Sequence, residues 1–133
     1  MSWPDLGDVE AFIASITPRQ HVREGVHDSC EALAEFLSGK DRDDLANDML
    51  RCAVEMKFIH VGAALEELER KAPDLAARFV DRQLLVRLYH DLAERYDENH
   101  NDTVWQYWKT LIPKTHSTAQ QVLADMPDEE AGE

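Results

Sequence analysis

Apolar residues along this chain recur at intervals of three and four, and no segment alternates in the manner of a half-buried strand. The sharpest case is residues 85–99, LVRLYHDLAERYDEN. Leu85, Leu88, Tyr89, Leu92 and Tyr96 share one helical face, at about 100° per residue. Arg87, His90, Asp91 and Glu94 fall opposite, close enough for i,i+3 and i,i+4 contacts. Upstream, Val22, Val26, Cys30, Leu33 and Leu37 predict another helix. Its start is marked by Thr17-Pro18-Arg19-Gln20, with Thr as N-cap, Pro at the first helical position and Gln completing a capping box. Gly39 stops it.

Asp41 is then expected to cap a longer helix to about residue 71, with Asp43 and Asp44 in the first turn, where the helix dipole favours negative charge. This helix carries two apolar stripes. One is Leu45, Met49, Cys52, Met56, Ile59 and Ala63; the other is Val54, Phe58, Val61, Leu65 and Leu68. A helix apolar on two sides is wrapped by neighbours or packs against a second subunit. Pro73 breaks the run, and a third helix is expected from residue 74 through the 85–99 stretch. After a turn at 99–102, Asp102 or Thr103 caps a fourth helix bearing Val104, Trp105, Trp108, Leu111 and Ile112. Pro113 kinks or ends it, and residues 115–126 continue as helix.

Residues 2–16 suggest a short opening helix, with Val9, Phe12, Ile13 and Ile16 on one side, and 127–133 a disordered acidic tail. The fold class is therefore all-α: an up-and-down four-helix bundle with a short extra N-terminal helix, one domain over residues 1–126.

Composition narrows the function. The chain has 133 residues and a net charge of −13, which works against a generic nucleic-acid surface, since phosphates need Lys and Arg to displace counterions. Cys30 and Cys52 show neither CxxC nor zinc-ligand spacing and read as buried free thiols of a reducing compartment. No apolar run approaches about 20 residues and no basic-then-apolar leader opens the chain, so a soluble, cytoplasmic protein with no membrane partner is expected.

Candidate chemistry is sparse. Glu24-Gly25-Val26-His27 has the Glu-x-x-His spacing of di-metal bundles, but the nearest second copy, Asp97-Glu98-Asn99-His100, sits at a helix end. No metal site and no cofactor are expected. Ser29 and Ser117 lack an elbow motif, the glycines form no phosphate loop, and His60 reads as a packed core or interface histidine. The best catalytic set is Arg87, His90 and Glu94. His titrates near neutral pH, a neighbouring carboxylate can fix its tautomer, and Arg87 can hold a phosphate or developing oxyanion. The alternative is a solvated face laced with weak salt bridges.

Several of these segments together resemble the HEPN superfamily of small helical bundles, in particular the HepT-like toxins and nucleotidyltransferase substrate-binding partners. The resemblance covers residues 19–126 and rests on Val61-Gly62-Ala63-Ala64, Pro73, Tyr96-Asp97, Val104-Trp105 and Ile112-Pro113. Against the family signature (Arg-Asn, three residues, His, one residue, Tyr-Asp), Tyr96-Asp97 matches the final pair. Tyr89 stands at the Arg, His90 at the Asn and Glu94 at the catalytic His, and Ala63 replaces a Glu of the second helix.

The resemblance implies a homodimer paired with a nucleotidyltransferase or a toxin or antitoxin protein. It also implies that Tyr89, Tyr96 and Asp97 belong to a binding or modification site. Because Tyr89 and Glu94 supply no cation, the expectation is a non-nucleolytic binding or regulatory subunit. The alternative is a metal-independent ribonuclease using Arg87, His90 and Glu94, with RNA as substrate.

Overall fold

The computed structural model describes residues 16–95 and 97–126. The opening helix expected over 2–16 (its last residue excepted), the tail at 127–133 and Tyr96 lie outside the described residues. Within them, the chain is all helix and turn. Helix α1 is a continuous rod of three segments, Pro18–Gln20, His21–His27 and Asp28–Leu37, of which the middle one is π-helical. Its start is the capping box read from the sequence: Gln20 N–H donates to Thr17 Oγ1 at 3.2 Å and Thr17 N–H to Gln20 Oε1 at 2.9 Å. Such a cap is worth about 1 kcal/mol. Gly39, at φ 77°, takes the left-handed conformation that ends the rod.

The next helix starts later than expected. Asp41 caps a short 3-10 turn, Arg42–Ala46, through its own capping box with Asp44. The long helix α2, Asp48–Lys71, begins after Asn47, whose Oδ1 accepts from Leu50 N–H at 3.0 Å. Two caps six residues apart split what periodicity reads as one helix. Leu45 is buried at the turn whereas Met49 is 85% exposed, so the first apolar stripe does not continue in phase across the break.

Pro73–Ala76 forms only a single turn, α3, and the third main helix, α4, runs Arg82–Glu94 rather than from residue 74 to 99. Helix α5, Asn101–Thr110, starts after His100, and neither Asp102 nor Thr103 caps it. Asp102 instead pairs with Arg42 of the 3-10 turn, and Asn99 Oδ1 accepts from Asn101 N–H at 2.8 Å. The helix breaks at Leu111, and α6, Ile112–Asp125, opens with Pro113 where its missing N–H costs nothing.

Helix α2 is the centre of the bundle: α4 packs on one side of it, α1 on another, and α6 lies against α1. Its second stripe, Val54, Phe58, Val61, Leu65 and Leu68, is wholly buried with Val22, Val26, Leu33, Leu85, Leu88 and Val122. Its first stripe is not: Met49 and Met56 (50%) are exposed, as is Cys52, which is therefore not the buried thiol expected. Cys30 is buried. His60, read as a core or interface histidine, is exposed on α2 and so is not part of the core. No helix among the described residues is long and apolar enough to cross a membrane.

Candidate functional site

Helix α4 is bound to α2 on the face its sequence dictates. Leu85, Leu88 and Leu92 are buried and Val86 is half-buried, while Arg87 is exposed. The approach is close because Gly62 lies beneath Tyr89. A Cβ there would sit 2.3 Å from Tyr89 Cβ and 2.8 Å from Leu85 O. With α4 held at this distance, the Tyr89 ring packs beside His90, centroids 4.6 Å apart and tilted by 37°.

The close crossing also brings Glu66 of α2 to His90. His90 Nε2 and Glu66 Oε2 are 2.5 Å apart, and since a carboxylate only accepts, the ring N–H is the donor. On the other ring nitrogen, Nδ1, Glu94 Oε1 is 3.7 Å away. The hydrogen bond to Glu66 is the main reason His90 holds its proton above the usual histidine range. Partial desolvation opposes it, and the charges of Glu66, Glu94 and Asp91 reinforce it. Both His90 and Glu66 are 43% exposed, so water screens the pair and its worth to stability is modest.

Beside this dyad runs an open groove of about 550 Å³ between α2 and α4. Leu65 and Val86 supply apolar lining. Arg70, Arg82, Arg87 and His90 bring positive charge; Glu66, Glu69 and Asp91 bring negative. Most of these charges are spoken for. Arg82 Nε is 3.1 Å from Glu69 Oε2 and its Nη1 donates to Phe79 O at 3.2 Å, and Arg70 lies 3.1 Å from Glu67. Arg87 has no hydrogen-bond or ion-pair partner among the described residues, so it is the cation available to an incoming anion.

The structure thus gathers Arg87, His90 and Glu94 at one place. Tyr89 serves the helix crossing, and Asp97 stands exposed in the turn after α4. Sequence reasoning missed Glu66, His90's main partner, because it lies 24 residues away on another helix. Glu66 fixes the ring with Nε2–H toward α2 and favours its charged form, and a lone pair for taking a proton can stand only on Nδ1, on the side of Glu94.

Two other histidine groups lie on α1. His21 is buried, and its Nε2 accepts from Lys71 Nζ at 3.3 Å; burial first, then the Lys71 charge, push its pKa down. His27 does not pair with Glu24. It faces Glu31 and His116, the ligand atoms of the three lying within 4.8 Å of one another, a set able to hold a metal ion. His100 is engaged elsewhere, its Nε2 2.8 Å from Arg95 O.

No known family model, curated protein or solved structure matches the chain.

Proposed function

We propose that the chain is a HEPN-like helical subunit of a toxin–antitoxin or nucleotidyltransferase-associated pair, acting in the cytoplasm as a homodimeric binding or regulatory protein without nuclease action. The observation that carries this reading is the clasp on His90. A ribonuclease base near a 2′-hydroxyl needs a free imidazole nitrogen. Here Nε2 donates to Glu66 at 2.5 Å, Nδ1 faces the carboxylate of Glu94 at 3.7 Å, and these acids favour the charged ring over the neutral base. The net charge of −13 further weakens any hold on RNA. The exposed Met49, Cys52 and Met56 on α2 support a protein partner or second copy on that face.

The test is incubation of purified full-length protein with total RNA in the presence of a chelator, alongside light scattering and a search of the neighbouring genes for a nucleotidyltransferase to co-purify with it. Intact RNA, a dimer mass and a co-purifying partner are expected. RNA cleavage that His90→Ala abolishes would overturn the reading.

One observation favours the nuclease alternative: Arg87 and His90 line the same groove, as a cation and a proton donor on a phosphate would. Under it, expression arrests growth and both Arg87→Ala and His90→Ala relieve the arrest. Under the binding reading, expression alone leaves growth unchanged.

A further inference from the structure

Between α1 and α6, apart from the residues that line the His90 groove, two imidazoles and one carboxylate converge. His27 and Glu31 are one turn apart on α1, with Nδ1 and Oε1 3.8 Å from each other. His116 reaches across from α6, its Nε2 3.6 Å from Glu31 Oε2. The two rings stack with centroids 4.8 Å apart and planes 28° from parallel.

These distances are too long for hydrogen bonds and short enough to close around an ion. His116 Nε2 is buried and has no hydrogen-bond partner, which is unusual for a buried polar atom. Asp28 Oδ1 also lies 3.1 Å from His27 Nδ1, a contact that ligation through this nitrogen would displace.

We propose that His27, Glu31 and His116 form a binding site for a divalent transition-metal ion of the zinc class, clasping α1 to α6. Two neutral imidazoles and a carboxylate are the borderline nitrogen and oxygen donors that zinc(II) prefers, and they disfavour magnesium and calcium, which take oxygen alone. Three protein ligands leave a fourth position. Glu31 and His116 border a cavity of about 510 Å³ that also includes Trp108, Ile112 and Pro113, so that position opens onto space a water or small ligand can enter. Cys30 lines the same cavity but is not one of the three residues whose ligand atoms converge.

The site is independent of the His90 groove, and its test is independent of nuclease or partner activity. Tag-free full-length protein is titrated with zinc chloride by calorimetry and with cobalt(II) by visible absorption, beside Glu31→Gln, His116→Gln and His90→Ala. The expected result is one ion per chain, with a cobalt spectrum of low coordination number. Glu31→Gln and His116→Gln weaken binding by about 100-fold, and His90→Ala leaves it unchanged. Glu31 is exposed, so its variant folds regardless of what His116 contributes to packing, and circular dichroism checks both. Absence of saturable binding in the wild type, or equal binding by wild type and Glu31→Gln, would overturn the proposal.

Discussion

Two clusters in this bundle are made from the same side chains in inverse proportion. At the α2–α4 crossing, one imidazole meets the carboxylates of Glu66 and Glu94; between α1 and α6, the imidazoles of His27 and His116 share the carboxylate of Glu31. Two carboxylates around one ring favour the charged form of His90. Across the α1–α6 seam two rings share the acid of Glu31, and His116 Nε2 is left buried without a hydrogen-bond partner. Histidine content alone therefore says little about chemistry; the ratio of acids around each ring decides whether it donates, attracts or ligates.

The largest effects should come from breaking the two helix crossings against α2, each of which is seamed by a glycine. Gly62 lets α4 approach α2, and Gly25 lets α1 approach α2, where a Cβ would lie 2.3 Å from Ala64 Cβ. Gly62→Ala also meets a backbone oxygen at 2.8 Å, which cannot rotate away. Chemical denaturation should show it destabilised by about 2 kcal/mol, even after the helix-propensity gain of replacing glycine. Gly25→Ala should cost less. Only Gly62→Ala should move the NMR signals of His90.

A middling effect comes from Glu66→Gln, which removes the main cause of His90's raised pKa. NMR titration of the His90 ring should show its midpoint fall toward the ordinary value near about 6.5. The linked stability follows. A raised folded pKa stabilises fully below about pH 6.5 and loses that contribution as pH rises through the folded value. Glu66→Gln should flatten the loss above that pH. His21, whose pKa is depressed, acts in the opposite window, where stability falls as pH drops below about 6.5. A pH series of denaturation curves that Glu66→Gln leaves unaltered would mean the carboxylate does not hold His90.

The smallest shift is expected from Glu94→Gln. Its oxygen is 3.7 Å from His90 Nδ1 and its side chain is 72% exposed, so screening leaves little to remove. A titration shift as large as that of Glu66→Gln would reverse the ranking of the two acids.

Much of the scaffold was legible. The buried row Leu85, Leu88 and Leu92, the Thr17 capping box and the stop at Gly39 all follow from short-range rules that need only neighbours in sequence. The split before α2 escaped because Leu45, Met49 and Cys52 keep helical spacing across a turn that two local caps impose. The exposed fate of Met56 escaped because periodicity identifies an apolar face without saying whether anything covers it. At the site, Arg87, His90 and Glu94 were found because i,i+3 and i,i+4 spacing is local. Glu66 and His116 were not, since their partnership depends on which helices cross and at what distance.

The π-helical stretch His21–His27, where Asp28 N–H reaches back five residues to Arg23 O, amounts to one extra residue inserted into α1. Excising a single residue there would let an uninterrupted α-helix form, and everything upstream would swing by about 100° relative to His27 and Glu31. His21 would then lose its place against Lys71, and the part of α1 that packs on α6 would be re-aimed with it. The insertion sets the azimuth between the two ends of one rod, allowing a single helix to serve two neighbours that do not lie in line.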